Sequence, residues 1–102
     1  MTRSATFRLI FLACASLASC ASPSPAFMQG QRLDAEVDGS RFTIWRAGEA
    51  VEVYRVSTEV LPKRSETFAK ASVAIRRVTG CAVVPGSLAG DVALMEAEID
   101  CG

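Results

Sequence analysis

The chain contains no histidine. A serine–histidine or cysteine–histidine nucleophile system is therefore excluded within it, and the commonest metal ligand is missing. It has no Cys-x-x-Cys pair and no phosphate-cradling glycine loop. Pro85-Gly86 and Ala89-Gly90 match neither the P-loop nor the dinucleotide pattern. No apolar run reaches the roughly 20 residues of a membrane-spanning helix. Positive charge is not in excess either: the whole chain is formally neutral. A nucleic-acid partner needs a clustered positive field, and nothing here supplies one.

What is present begins with a leader. Met1 to Arg8 carries Arg3 and Arg8 and no acid, and Leu9 to Leu17 is almost wholly apolar. A basic start, a short apolar core and then small residues make a secretory signal peptide over 1–19. Leu17-Ala18-Ser19-Cys20 follows directly, and it resembles the lipobox of bacterial lipoproteins. The resemblance implies that Cys20 is diacylated on sulfur, often acylated at its new amino end as well, with palmitate among the expected chains, and becomes the first residue of the mature chain. Two or three acyl chains hold a protein durably on a membrane, where one holds it only reversibly. Ala21, where an aspartate would favour inner-membrane retention, leans by the same resemblance towards the outer membrane. The other reading is an ordinary signal peptide cut near Ala21 or Ala26, which releases a soluble secreted domain.

Residues 20–27 hold the lipidated cysteine and a Pro/Ser segment, Ala21-Ser22-Pro23-Ser24-Pro25-Ala26, expected as an extended tether. Residues 28–102 form one extracytoplasmic domain. Past the leader, nine basic and eleven acidic side chains remain, a net charge of −2. At about 75 residues such a domain is near the size where a core alone is marginal and a cross-link helps. Of four cysteines, Cys14 leaves with the leader and Cys20 takes the lipid. Cys81 and Cys101 then read as one disulfide in an oxidising compartment. A metal or redox pair is the sharper alternative, against which stand the missing histidine and the missing Cys-x-x-Cys spacing.

The domain reads as α+β, in the order β-β-β-α-β. Leu33, Ala35 and Val37 alternate with Arg32, Asp34, Glu36 and Asp38, the pattern of a half-buried strand. Gly39-Ser40 suits a two-residue II′ turn, which sets Val37 opposite Phe42, Ala35 opposite Ile44 and Asp38 opposite Arg41. A second turn at Gly48-Glu49 sets Ile44 opposite Val53 and Arg46 opposite Val51. Arg32 to Val56 is thus a three-stranded antiparallel meander. Phe42, Ile44, Val51 and Val53 share its core face; Thr43, Trp45, Glu52 and Tyr54 share the other. Pro62 ends the sheet. A helix is expected over about Ser65 to Thr79, with Ser65 as N-cap, a stripe of Phe68, Ala71, Ile75 and Val78, and Gly80 as the C′ residue. It should cover the apolar face of the meander. Ala82-Val83-Val84 is a short extended run and Pro85 to Asp91 a loop. Met95, Ala97, Ile99 and Cys101 then alternate with acids in a last strand, cysteine pointing inward.

Candidate sites are few. Glu96, Glu98 and Asp100 line one face of the last strand; acids work as an acid–base pair only in a cleft that splits their pKa values, and otherwise form a solvated face. Lys63, Arg64, Arg76 and Arg77 flank the two ends of the helix, where they match its dipole or meet anionic lipid. Trp45 and Tyr54, diagonal neighbours on the face away from the helix, are the best candidate partner surface, unless the tether or the last strand packs over them. No cofactor and no metal are expected, and no catalytic residues. The overall expectation is a lipid-anchored cell-envelope protein that binds or scaffolds. A small inhibitor of a periplasmic or foreign enzyme is the alternative.

Overall fold

Alternation of apolar and polar side chains drives the first half of the domain into a sheet. In the computed structural model, which describes residues 23–102, β1 (Gln31–Val37), β2 (Ser40–Ala47) and β3 (Ala50–Arg55) form the expected antiparallel meander. The second turn falls as expected, with Ile44 opposite Val53 and Arg46 opposite Val51.

The first turn does not. Val37 pairs with Ser40, Ala35 with Phe42 and Leu33 with Ile44, so the register is two residues from the one expected. The turn residues are Asp38 and Gly39, at φ 47° and 84°. Positive φ at both central positions is the type I′ geometry that an Asp-Gly pair favours, and it outcompetes a II′ turn at Gly39-Ser40. Because side chains alternate with period two, a slip of two leaves both faces intact. It also releases Ser40 from the turn and buries it at the start of β2.

After β3 the chain crosses a proline-containing connection into α1, Arg64–Thr79. The N-cap is Lys63, not Ser65, and no side chain caps it. Pro62 sets the entry, and the Lys63 carbonyl already accepts the Thr67 N–H at 2.9 Å, which leaves Ser65 inside the first turn. Gly80 ends the helix in the left-handed region at φ 73°, donating to the Arg76 carbonyl. Ala71 and Ile75 are buried as expected, but Phe68 and Val78 are only half-buried, and Thr67 and Ala74 take their share of the contact. Small residues at 71 and 74 let the helix lie close on the sheet.

β4 (Ala82–Val83), β5 (Ala89–Gly90) and β6 (Leu94–Asp100) complete the sheet in the order β1-β2-β3-β6-β4, with β5 also on β6. The last strand thus becomes an interior one, β3 on one side and two short strands on the other. Met95, Ala97 and Ile99 join Phe42, Ile44, Val51 and Val53 under the helix. Each fully buried Val, Ile, Phe or Met among them contributes about 1.5–3 kcal/mol. Cys81 and Cys101 are bridged, Cα atoms 4.4 Å apart. Cys81 is buried, but Cys101 lies exposed just past the end of β6 instead of pointing into the core. Among the described residues no helix is long and apolar enough to cross a membrane.

Candidate functional site

The helix covers one face of the sheet and leaves the other. On that second face β2 supplies Thr43 and Trp45, and β3 supplies Glu52 and Tyr54. Trp45 stands directly opposite Glu52, and Thr43 opposite Tyr54. Trp45 and Tyr54 are therefore diagonal neighbours, as expected, and both are half-buried. With Arg32, Thr43, Arg55, Val56 and Ala93 they line one concavity of about 360 Å³. Thr43 Oγ1 donates to Asp34 Oδ1 at 2.9 Å, which fixes one wall. Trp45 Nε1 is buried with no hydrogen-bond partner among the described residues.

Glu52 is the residue that the pattern of the sequence did not single out. It is 0 % exposed, although it lies on the face away from the helix. The segment expected as a free tether covers it. Pro25–Phe27 form one 3-10 turn, and Ser24 just before it donates twice to the Glu52 carboxylate, from its backbone N–H to Oε1 at 3.0 Å and from its hydroxyl to Oε2 at 2.6 Å. The Tyr54 hydroxyl donates to Oε1 as well. Burial alone would raise the Glu52 carboxyl, but the Ser24 and Tyr54 hydrogen bonds outweigh it and hold it below its ordinary value. Burial, the hydrogen bond to Glu52 and the charges of Glu52 and Glu96 push the Tyr54 phenol up to about 12. Both shifts lead away from neutral pH. The pair is a fixed hydrogen-bond node, whereas a general acid needs a carboxyl held high. An acid between Trp45 and Tyr54 in the alternation was the one signal in the sequence. Its partner, 28 residues upstream, left none.

A second node closes the end of the sheet. Arg55 Nη1 pairs with Glu59 Oε2 at 2.7 Å, and its Nε donates to the Val92 carbonyl at 2.8 Å. The Ser40 hydroxyl donates to Glu59 and accepts from Lys70 Nζ at 3.1 Å. The Ser40, Arg55 and Ser57 contacts together hold the Glu59 carboxyl below its ordinary value, against burial.

The remaining candidates are dispersed. Glu96, Glu98 and Asp100 are exposed along β6, and Glu96 stands opposite Glu52. Lys63 and Arg64 lie at the start of the helix, Arg64 over the Phe68 ring at 4.3 Å. Arg77 at the other end donates to the Glu36 carbonyl at 2.8 Å, so the four cations do not form one patch. Among the described residues no group of three His, Cys, Asp or Glu side chains could hold a metal ion. Cys20 and the leader lie outside the described residues. Comparison with known proteins finds no matching family, no matching curated protein and no matching solved structure.

Proposed function

We propose that this chain is a lipid-anchored cell-envelope protein whose small domain binds a partner on the helix-free face of its sheet, without catalysis. The observation that carries the binding reading is the concavity between Trp45 and Tyr54. Its lining combines the two aromatic rings with the Arg32 and Arg55 guanidinium groups and the Thr43 hydroxyl. Aromatic and arginine side chains around a recess are the usual anchors of protein contacts. An apolar group carrying a hydrogen-bond acceptor, such as a peptide side chain or backbone carbonyl, fits that lining. The leader, Leu17-Ala18-Ser19-Cys20 and the one bridged cysteine pair support the envelope location.

Cross-linking in the native envelope, with wild type and Trp45→Ala compared, tests the binding reading. The variant should lose the cross-linked neighbour while its melting temperature moves little. An unchanged neighbour with a collapsed melting temperature would make Trp45 a core residue and refute it. The anchor is tested separately by intact mass: the extracted protein should exceed Cys20 to Gly102 by acyl chains, and a mass without them would refute it.

A further inference from the structure

The connection between β3 and α1 carries the two most exposed large apolar side chains among the described residues. Val60 is 91 % and Leu61 89 % exposed, and Val56 at the start of the same connection is exposed too. These side chains have not been left out by a floppy loop. The residue before them, Glu59, is gripped by Ser40, Arg55 and Ser57, and the residues after them enter the helix through Pro62. Leu61 holds φ 49°, a left-handed conformation that a branched side chain rarely adopts. A rigid base therefore presents an apolar pair to solvent.

The charges beside the pair indicate what would receive it. Lys63 and Arg64 follow after Pro62 and are exposed. Glu59, the one acid within the connection, is already neutralised by Arg55. An apolar tip followed by two cations suits a layer of anionic headgroups over hydrocarbon. Asp38 and Glu66, exposed at the same end, temper the attraction.

The N-terminal segment runs towards the same end of the sheet. Gly30 lies against the Arg46 carbonyl, Phe27 shares a hollow with Ala50 and Val51, and Ser24 sits on Glu52. Followed backwards, the chain climbs β3 towards Tyr54. The end of β3 at Arg55 is about 10 Å from Glu52.

We infer that Val60-Leu61 is a membrane-inserting tip, seated among anionic lipids by Lys63 and Arg64, and that it presses this end of the domain onto the bilayer. The inference rests on the envelope location proposed above, but not on acylation of Cys20. To test it, the full chain carrying Val60→Trp and Trp45→Phe is reconstituted in phosphatidylethanolamine–phosphatidylglycerol vesicles. The lipids carry bromine near the headgroup end of the acyl chains. The tryptophan at 60 should shift to the blue and lose emission to the bromines, while Trp45 of the wild-type chain, in its recess, should lose little. Lys63→Ser with Arg64→Ser should reduce the quenching, by about fivefold in occupancy per cation at low salt. Red, unquenched emission from residue 60 in a chain whose disulfide is intact overturns the inference. So does a residue-60 photocross-link that captures protein and no lipid. Intact mass separates the two readings: an acylated chain with unquenched emission defeats the tip alone, and an unacylated chain with quenched emission defeats the anchor alone.

Discussion

Replacing Glu52 by glutamine would test whether the N-terminal segment is stitched to the domain. The substitution keeps the shape and removes the charge. Three donors converge on the carboxylate: the Ser24 N–H, the Ser24 hydroxyl and the Tyr54 hydroxyl. In the variant the amide nitrogen best takes the Oε2 place, where the Ser24 hydroxyl must turn from donor to acceptor, and all three hydrogen bonds lose the negative charge that strengthens them. A hydrogen bond to a charged group contributes about 1.5–3 kcal/mol and a neutral one about 0.5–1.5 kcal/mol, so each of the three loses about 1 kcal/mol. Glu52→Gln should therefore lower stability by about 3 kcal/mol. At about 4–8 °C per kcal/mol for a domain of this size, the melting temperature should fall by roughly 12–24 °C.

The same substitution has a signature in pH. The folded-state carboxyl of Glu52 lies below its ordinary value, so the unfolded chain takes up the proton first as pH falls. Its stabilisation is complete above the unfolded carboxyl pKa of about 4.3 and is lost as pH falls through the folded value. Denaturant unfolding followed by Trp45 emission should show a gap between wild type and variant that is constant near neutrality and closes in acid. Ser24→Ala should cost less, because the backbone N–H still donates. The double variant should fall short of the sum of the two, since both changes break one node. A gap that persists unchanged into acid, or strictly additive effects, would refute the stitched arrangement.

Reduction of Cys81–Cys101, which closes a loop 20 residues apart, should cost about 3 kcal/mol by chain entropy; a melting curve indifferent to reductant would refute this. In Gly30→Ala the added Cβ would stand 2.2 Å from the Arg46 carbonyl oxygen and 3.1 Å from that of Phe27, both backbone. It should cost about 1–3 kcal/mol and speed hydrogen exchange at the Ser24 amide, and exchange as slow as in wild type would refute the close approach.

Much of the fold was legible in the chain, because much of it depends on neighbours in sequence. Alternation over Leu33 to Val37 and over Phe42 to Tyr54 determined which side chains share a face. Gly48 determined the second turn, and Gly80 the end of the helix. Spacing alone chose Ala71 and Ile75 for the core, and assigning Cys14 to the leader and Cys20 to the lipid left Cys81 and Cys101 for the bridge. The first hairpin was harder. Two turn chemistries compete over Asp38-Gly39-Ser40, and both put the same side chains on the same faces, so hydrophobic pattern could not separate them. The start of the helix was harder for a similar reason: Ser65 is a better cap than Lys63 by residue type, but the backbone after Pro62 had already begun to turn.

Tertiary structure alone decided where β6 sits and what lies over Glu52. The acids of β6 and its buried Met95, Ala97 and Ile99 fit an edge or an interior strand equally well. Only closure of the sheet against β3, with β4 and β5 completing the other side, selects the interior place. Ser24, among small residues and prolines, has no periodicity to report. Its two hydrogen bonds exist because the sheet brings a carboxylate 28 residues away to the place where the chain passes. Local alternation is written in the spacing of side chains; a contact between distant segments is made only when the whole chain has closed around it.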